Sequence, residues 1–329
     1  MTVRSAVVGT GYWGKNLLRN LNGLGALYAF CDADSKALAT FAAEYPDATP
    51  YQDYEAMIAD PKIDAVVIAT PAATHGVLAE KALNAGKHVF VEKPLCLDVD
   101  EARRLDALAG ERELILMVGH LLLYHPAFVA LKAAVGSGLL GDLRYIHSTR
   151  ASLGKIRMEE NALWSFAPHD ISMILSLAGR LPKRVTCNGE AWLNKEVADL
   201  TLSHLDFGSG LQAHIFVSWL HPYKDHRLVV IGERGMIVFN DTVPGEEKLM
   251  HYPHSVGWDG NLPVLDKAEA VPLPYGTEEP LKSECAHFLD CVGTGVTPRS
   301  DAKEGTAVLS VLDWCQQALT AKQPVVLED

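Results

Sequence analysis

The sequence predicts an α/β protein of two domains. The first is a parallel sheet with helices on both faces. The second is an α/β domain with a large, mainly antiparallel, open-faced sheet. Three observations point there. Short apolar runs alternate with helical stretches from residue 3 to about 119. A glycine-rich turn, GTGYWG, joins the first run to the first helical stretch. Beyond residue 120 the segments lengthen and alternate apolar with polar residues, as antiparallel strands do. The expected domains are therefore 1–119 and 120–329, both of ordinary size.

The elements follow in order. VRSAVV is a strand and GKNLLRNLN the helix after it. LYAFCD is a second strand that ends at Asp32. SKALATFAAEYP is a helix that begins on Ser35 as its cap and stops before Pro46. DYEAMIAD is a short helix behind a capping Asp53. DAVVIAT is apolar throughout, the pattern of a strand covered on both faces. THGVLAEKALNAG is a helix closed by Gly86. KHVFVEK, DVDEARRLDALAG and ELILMVG are strand, helix and strand. In the second domain HPAFVALKAAVGSG and WSFAPHDISMILSLAG read as helices, set among strands such as LRYIHSTRAS, DLTLSHLDF and LQAHIFVSWL. Residues 241–280, rich in Pro and Gly, predict a long loop, followed by helices at 281–293 and 301–321.

Composition narrows the function classes. Hydrophobic residues make up 48% and charged residues 21%, a globular balance. The net charge is -12 with no basic block, which argues against nucleic acid and anionic membranes as partners. The six cysteines form no C-x-x-C and no Cys–His spacing that suggests a zinc site, so they are expected to be buried thiols, and no metal is expected. No signal peptide and no apolar run of membrane-spanning length are visible, so the cytoplasm is the expected compartment.

The glycine turn carries the first functional inference. Gly9 permits a tight turn after the strand, Gly11 lets a diphosphate approach the backbone, and Gly14 lets helix and strand pack closely. The helix N-terminus then offers free N–H groups to phosphates. Asp32 stands at the end of the second strand, where a carboxylate accepts the adenosine ribose hydroxyls and repels a 2′-phosphate. NAD is therefore the expected cofactor, with Tyr12 and Trp13 in the turn that holds it. Right-handed crossovers bring the strand ends to one edge. That places Thr70, Pro71, His75, Glu92, Lys93 and Pro94 near the far end of the cofactor. Pro94 fixes the chain after Lys93 and could form a cis bond. A lysine beside a cationic nicotinamide has its ammonium form disfavoured, which makes it a usable base.

GTGYWG, the acid in FCDAD, ATP with a His soon after, EKPL and the later APHD together resemble the Gfo/Idh/MocA family of NAD(P)-dependent sugar and inositol oxidoreductases. The resemblance covers essentially the whole chain, including KSECAHFLDCV and DAKEGTAVLSVLDW. It implies a Rossmann domain, then a domain whose open sheet carries the contacts of a homodimer or homotetramer. It also implies that Lys93 and His169 are the catalytic pair of an EC 1.1.1-type enzyme. One accepts the sugar hydroxyl proton while hydride leaves the same carbon for nicotinamide; the other hydrogen-bonds the oxygen. Which is the base stays open. Many members carry an Asp four residues before that His; this chain has Ser165, which weighs against the inositol-dehydrogenase branch. Asp170, next in sequence, would point to a different side of the helix.

For substrate contact the candidates are His120 (also near the cofactor), Tyr124, Lys155, Arg157, Asn161, Trp164 and Ser165, beside Lys93 and His169. Arg150, Lys155 and Arg157 would pair with phosphate, and Trp164 would pack on a sugar or base. LLLYHPAF and NALWSFAPHDISMIL resemble the nucleotide-sugar branch, whose 3-keto products an aminotransferase aminates for lipid A or O-antigen sugars of lipopolysaccharide. The first expectation is oxidation at C3 of UDP-N-acetylglucosamine. The alternatives are its uronate, a free sugar or inositol, and, from another class, a non-catalytic NAD-binding regulatory protein.

Overall fold

The computed structural model describes residues 3–154, 156–158 and 160–327. The chain opens with β1 (Ser5–Val8), α1 (Gly14–Gly23), β2 (Leu27–Cys31), α2 (Ser35–Glu44), β3 (Thr49–Tyr51) and α3 (Tyr54–Ile58). It continues with β4 (Ala65–Ile68), α4 (His75–Asn84), β5 (His88–Glu92), α5 (Val99–Glu111) and β6 (Leu116–Gly119). The six strands form one parallel sheet in the order β3-β2-β1-β4-β5-β6. Every residue of β1, β4 and β6 is buried, which is why these segments are apolar apart from Ser5, whose hydroxyl donates to the carbonyl of Ala26. Strand order reverses between β1 and β4, the place where such sheets bind ligands.

Two details differ from the sequence reading. Asp34, not Ser35, caps α2: its carboxylate accepts the N–H of Lys36, and the helix begins one residue later. Strand β3 was not anticipated. It is three residues long and holds Pro50, which has no N–H for a ladder and is tolerated only at an edge.

Next come α6 (Pro126–Gly136), β7 (Leu143–Ala151), α7 (Ala162–Ala178), β8 (Arg184–Glu190), β9 (Leu200–Asp206), β10 (Gln212–Ser218), β11 (Asp225–Gly232) and β12 (Gly235–Asn240). They are followed by β13 (Leu249–Tyr252), β14 (Ser255–Asp259), β15 (Leu262–Asp266), β16 (Val271–Pro272), α8 (Pro280–Thr294), α9 (Ala302–Ala321) and β17 (Val325–Val326). Nine strands form the second sheet, in the order β16-β13-β12-β11-β7-β10-β9-β8-β17. Its pairings are antiparallel except β7 with β10. Helix α7 packs on one face. On the other, Tyr145, His147, His214 and Phe216 are only half covered. The segment expected as a long loop instead carries β13 to β16, of which β14 and β15 pair only with each other. Alternating residues and a tight turn at Gly260 hold that hairpin despite its loop-like composition.

The chain divides into two compact units. One holds the chain up to Tyr124 together with Glu278–Leu309; the other holds His125–Thr277 and the chain from Ser310 onward. The expected division into 1–119 and 120–329 therefore differs at residues 120–124 and 278–309, which group with the parallel sheet. Helix α8 belongs with the parallel sheet because it packs on α1 and sets Phe288 against Phe90 of β5, the rings tilted at 55° with centroids 5.6 Å apart. Phe30, Phe90 and Phe288 centre the core of the first unit; Phe207, Trp219 and Phe239 centre that of the second.

Candidate active site

In the first unit the glycine turn has the geometry its sequence implies. Gly9 has φ +85°, and a Cβ there would lie 2.8 Å from the carbonyl oxygen of Ala69. A Cβ at Gly14 would lie 1.8 Å from the carbonyl oxygen of Gly9, so only glycine lets α1 start there. At Gly11 an added Cβ meets nothing within 4 Å: the backbone faces open space. That space is a crevice of about 380 Å³ whose lining includes Gly9, Gly11, Asp32, Thr70, Pro71 and Tyr54. Tyr12 is exposed in the turn, with the Lys15 ammonium 5.3 Å from its ring centre.

Asp32 is fixed at the rim. Its Oδ2 accepts the N–H of Thr10 at 2.7 Å and the Thr10 hydroxyl at 2.8 Å, and its Oδ1 accepts the N–H of Asp34 at 2.9 Å. Burial alone would raise its pKa, but these donors outweigh it and hold the group below the usual carboxylate value.

Two further turns meet the glycine turn. The indole N–H of Trp13 donates to Oε1 of Glu92 at 2.5 Å. Glu92 as a whole is only half-buried, yet protein packs densely around its carboxyl, and that desolvation pushes it up to about 7 against the pull of Trp13, Lys93 and His120. Opposite it on β6, a Cβ at Gly119 would lie 2.9 Å from Oε2 of Glu92, so glycine leaves room for the carboxyl. Lys93 follows directly, and its bond to Pro94 is cis. His75, 1% exposed, spans the two turns: Nδ1 lies 2.7 Å from the carbonyl oxygen of Pro94 and Nε2 2.8 Å from that of Thr70. Burial lowers its pKa. The Thr70 hydroxyl meets that of Thr74 at 2.7 Å.

His120 and Tyr124 lie deeper than expected. His120 is 1% exposed, with Nδ1 2.6 Å from Oε2 of Glu304 on α9. Tyr124 is 3% exposed and its hydroxyl is 2.8 Å from Ser300 Oγ. The run LLLY is apolar because it packs inward, so Tyr124 is a core residue and not a substrate contact.

The second unit carries the other candidates. His169 sits half-buried on α7, and its carbonyl accepts the Ser172 hydroxyl at 2.9 Å. Asp170 points elsewhere, as the helix period requires: it is fully buried and takes Arg150 Nε at 2.8 Å and Nη2 at 3.2 Å, with the Ser148 hydroxyl also on it. Arg150 is thus a buried partner of Asp170 and is not available to a phosphate. Arg157 pairs with Glu160 at 3.1 Å. Lys155 lies outside the described residues. Asn161 caps α7, accepting the N–H of Trp164 at 3.1 Å, and both Asn161 Nδ2 (2.8 Å) and the Trp164 indole N–H (3.1 Å) donate to Oε1 of Gln316. Ser165, 6% exposed, lies one turn before His169.

Comparison with known proteins adds to this geometry. Residues 3–120 match a model described as the oxidoreductase family with an NAD-binding Rossmann fold, and residues 128–238 match the GFO/IDH/MocA C-terminal domain. A UDP-N-acetylglucosamine 3-dehydrogenase from Acidithiobacillus ferrooxidans is 31% identical over 94% of each chain. The chain belongs to the GFO/IDH/MocA oxidoreductase family. An inositol 2-dehydrogenase of Rhizobium meliloti is 30% identical over 99% of both chains. The solved structure of the Acidithiobacillus enzyme superposes with a TM-score of 0.86 at 25% identity, covering 98% of each chain.

As a GFO/IDH/MocA protein the chain is an NAD-dependent oxidoreductase of CH–OH groups, from a family of sugar and polyol dehydrogenases. The residues fit NAD: open backbone at Gly11, a helix start that tolerates only Gly14, and a fixed carboxylate at Asp32. All six cysteines are free and buried, and among the described residues no three His, Cys, Asp or Glu side chains are grouped to hold a metal. No helix among the described residues is long and apolar enough to cross a membrane. Sequence reasoning missed Gln52 and Tyr54 in the crevice because it missed β3, which delivers them to the edge. It also missed Glu304, which engages His120 from 184 positions away.

Proposed function

We propose that the protein oxidises a secondary hydroxyl to a ketone, and that its first substrate is UDP-N-acetylglucosamine, oxidised at C3. The observation that carries the dehydrogenase reading is the place of Lys93. It stands at the end of β5, directly after a carboxyl that is itself hydrogen-bonded to the glycine turn. When bound, NAD supplies the oxidant. Lys93 accepts the hydroxyl proton, and the adjacent Glu92 carboxylate stabilises the ammonium so formed. His169 hydrogen-bonds the substrate oxygen as it becomes a carbonyl; the two roles can be exchanged without changing the proton count. The N–H groups at the start of α1 balance the diphosphate charge. Asp32 accepts the ribose hydroxyls and disfavours a 2′-phosphate.

The nucleotide-sugar reading is supported by the 31% identical relative, by the same enzyme's fold and by Ser165 in place of an acid. A second reading, inositol or a free sugar, is favoured by a specific observation: Arg150 is bound to Asp170 and Arg157 to Glu160, which leaves fewer cations for a diphosphate. The inositol 2-dehydrogenase relative is similar at nearly the same identity. The uronate remains the variant of the first reading. The half-covered face of the nine-stranded sheet supports a homodimer or homotetramer. Cytoplasmic location and an aminotransferase that consumes the 3-keto sugar for lipid A or O-antigen synthesis complete the proposal.

The test is a panel with NAD: UDP-N-acetylglucosamine, its uronate, myo-inositol and glucose. NADH formation is followed, and the product is analysed by mass for the loss of two hydrogens. Turnover of the UDP-sugar supports the first reading. Turnover of inositol or glucose alone supports the second and overturns the first.

A further inference from the structure

We infer that Gln52 selects the base of the cofactor: its side-chain oxygen accepts the 6-amino group of adenine at the outer end of the crevice. The inference rests on the reading of that crevice as the NAD site.

The order of the strands matches the order of the groups in a dinucleotide. In the parallel sheet β1, β2 and β3 lie side by side. The glycine turn follows β1, Asp32 follows β2 and Gln52 follows β3. The strand ends are tied together: the N–H of Gly9 donates to the carbonyl of Cys31 at 2.9 Å, and the N–H of Asp32 to that of Tyr51 at 3.2 Å. In NAD the diphosphate is joined to the adenosine ribose, and the ribose to adenine. With the diphosphate at Gly11 and the ribose hydroxyls at Asp32, the purine is the next group outward and Gln52 the next strand end outward. Gln52 lines the same crevice as Ala33, Ala69 and Pro71, whose apolar surface suits the faces of a flat ring.

The other polar side chains here already have partners. Asp32 holds Thr10 and Asp34. The Tyr54 hydroxyl donates to the carbonyl of Leu78 at 2.6 Å. The Thr74 hydroxyl donates to the carbonyl of Pro71 at 2.8 Å, so it is the acceptor for the Thr70 hydroxyl. Asp53, next to Gln52, caps α3 by accepting the N–H of Glu55 at 2.9 Å. Gln52 is held by one arm only: its Nε2 donates to the carbonyl of Ala33 at 3.2 Å. A carbonyl is met by the NH2 end of an amide and not by its oxygen, so this bond fixes which way the carboxamide faces. Oε1 is the other arm, and it accepts no bond from the described residues. The 6-amino group of adenine is a donor and suits that oxygen. The 6-oxo group of hypoxanthine or guanine is an acceptor and would meet it oxygen to oxygen.

The test is isothermal titration, without substrate, of NAD and of nicotinamide hypoxanthine dinucleotide, in which the 6-amino group is replaced by an oxo group. Wild type should bind NAD about 3- to 10-fold more tightly than the analogue, the range of one hydrogen bond made or left unmet. Gln52→Met keeps the length of the side chain and removes the acceptor. It should weaken NAD and bring the two affinities to within about 2-fold of each other. Gln52 is exposed, so the replacement leaves the fold intact. Equal affinities in wild type, or an undiminished preference in Gln52→Met, would overturn the inference. An equal loss for both dinucleotides would also overturn it, because a residue that only shapes the loop does not tell the bases apart. Gly11→Ala separates this inference from the reading beneath it. If NAD binding survives in Gly11→Ala, the crevice is not the cofactor site and both fall. If Gly11→Ala weakens both dinucleotides while Gln52→Met keeps the preference, the crevice stands and Gln52 alone is wrongly assigned.

Discussion

The indole nitrogen of Trp13 lies 2.5 Å from Oε1 of Glu92 and donates to it. Trp13 stands between Gly11 and Gly14, and Glu92 immediately precedes Lys93. One hydrogen bond therefore ties the glycine turn, proposed to receive the cofactor diphosphate, to the turn that carries Lys93, the proposed base. Trp13→Phe keeps an aromatic ring and removes the donor. A hydrogen bond to a charged group contributes about 1.5–3 kcal/mol, so NAD affinity should fall roughly 10-fold or more, in proportion to how far the turn depends on it. Isothermal titration with NAD reads this; an unchanged affinity would mean that the two turns hold their places independently.

The three glycines should behave differently from one another. Gly14→Ala forces a Cβ to within 1.8 Å of the Gly9 carbonyl and should lower the melting temperature as well as abolish NAD binding. Gly11→Ala meets nothing within 4 Å, so the fold should persist while NAD affinity drops, because the methyl occupies the space the diphosphate needs. Thermal melts and NAD titrations of the two variants separate a cofactor turn from a merely structural one. Intact binding in Gly11→Ala would argue against the cofactor reading.

Glu92 also leaves a mark on stability. Its folded value, about 7, is above the usual carboxylate value, so the folded state holds a proton that the unfolded chain has lost. The stability this contributes is present below the unfolded value and is lost as pH rises toward about 7. In the cofactor-free protein Glu92→Gln should therefore flatten the decline in melting temperature between about pH 5 and 7 relative to wild type. An identical slope in both proteins would show that the carboxyl titrates at its ordinary value.

Arg150 gives a stability test that also bears on substrate. Its side chain is 8% exposed and that of Asp170 0%. Arg150→Met leaves the Asp170 charge buried and unpaired, so we expect a loss of about 3–5 kcal/mol in denaturant unfolding. The double variant Arg150→Met/Asp170→Leu should recover much of it. A stable single variant with a raised KM for a phosphorylated substrate would instead make Arg150 a ligand.

The sequence made the parallel sheet and its edge legible because strands covered on both faces are apolar without interruption, as β4 shows with Ala65–Ile68. The need for glycine at Gly9 and Gly14 was legible because the turn leaves no room for a Cβ at either. What stayed hidden depends on distant contacts. Tyr124 looked like a rim residue until its hydroxyl was found on Ser300, 176 positions away. Arg150 looked like a phosphate ligand until Asp170 claimed it. Helix α8 was placed in sequence, but nothing local says that it closes over β5.

The central claim is that Lys93 performs proton transfer at a bound cofactor. The direct measurement is NAD affinity and turnover in wild type and Lys93→Ala, using the sugar or polyol that the substrate panel identifies. We expect Lys93→Ala to bind NAD nearly as well as wild type while kcat falls by about 10²–10⁴-fold. Unchanged turnover in Lys93→Ala, with NAD still bound, would contradict it.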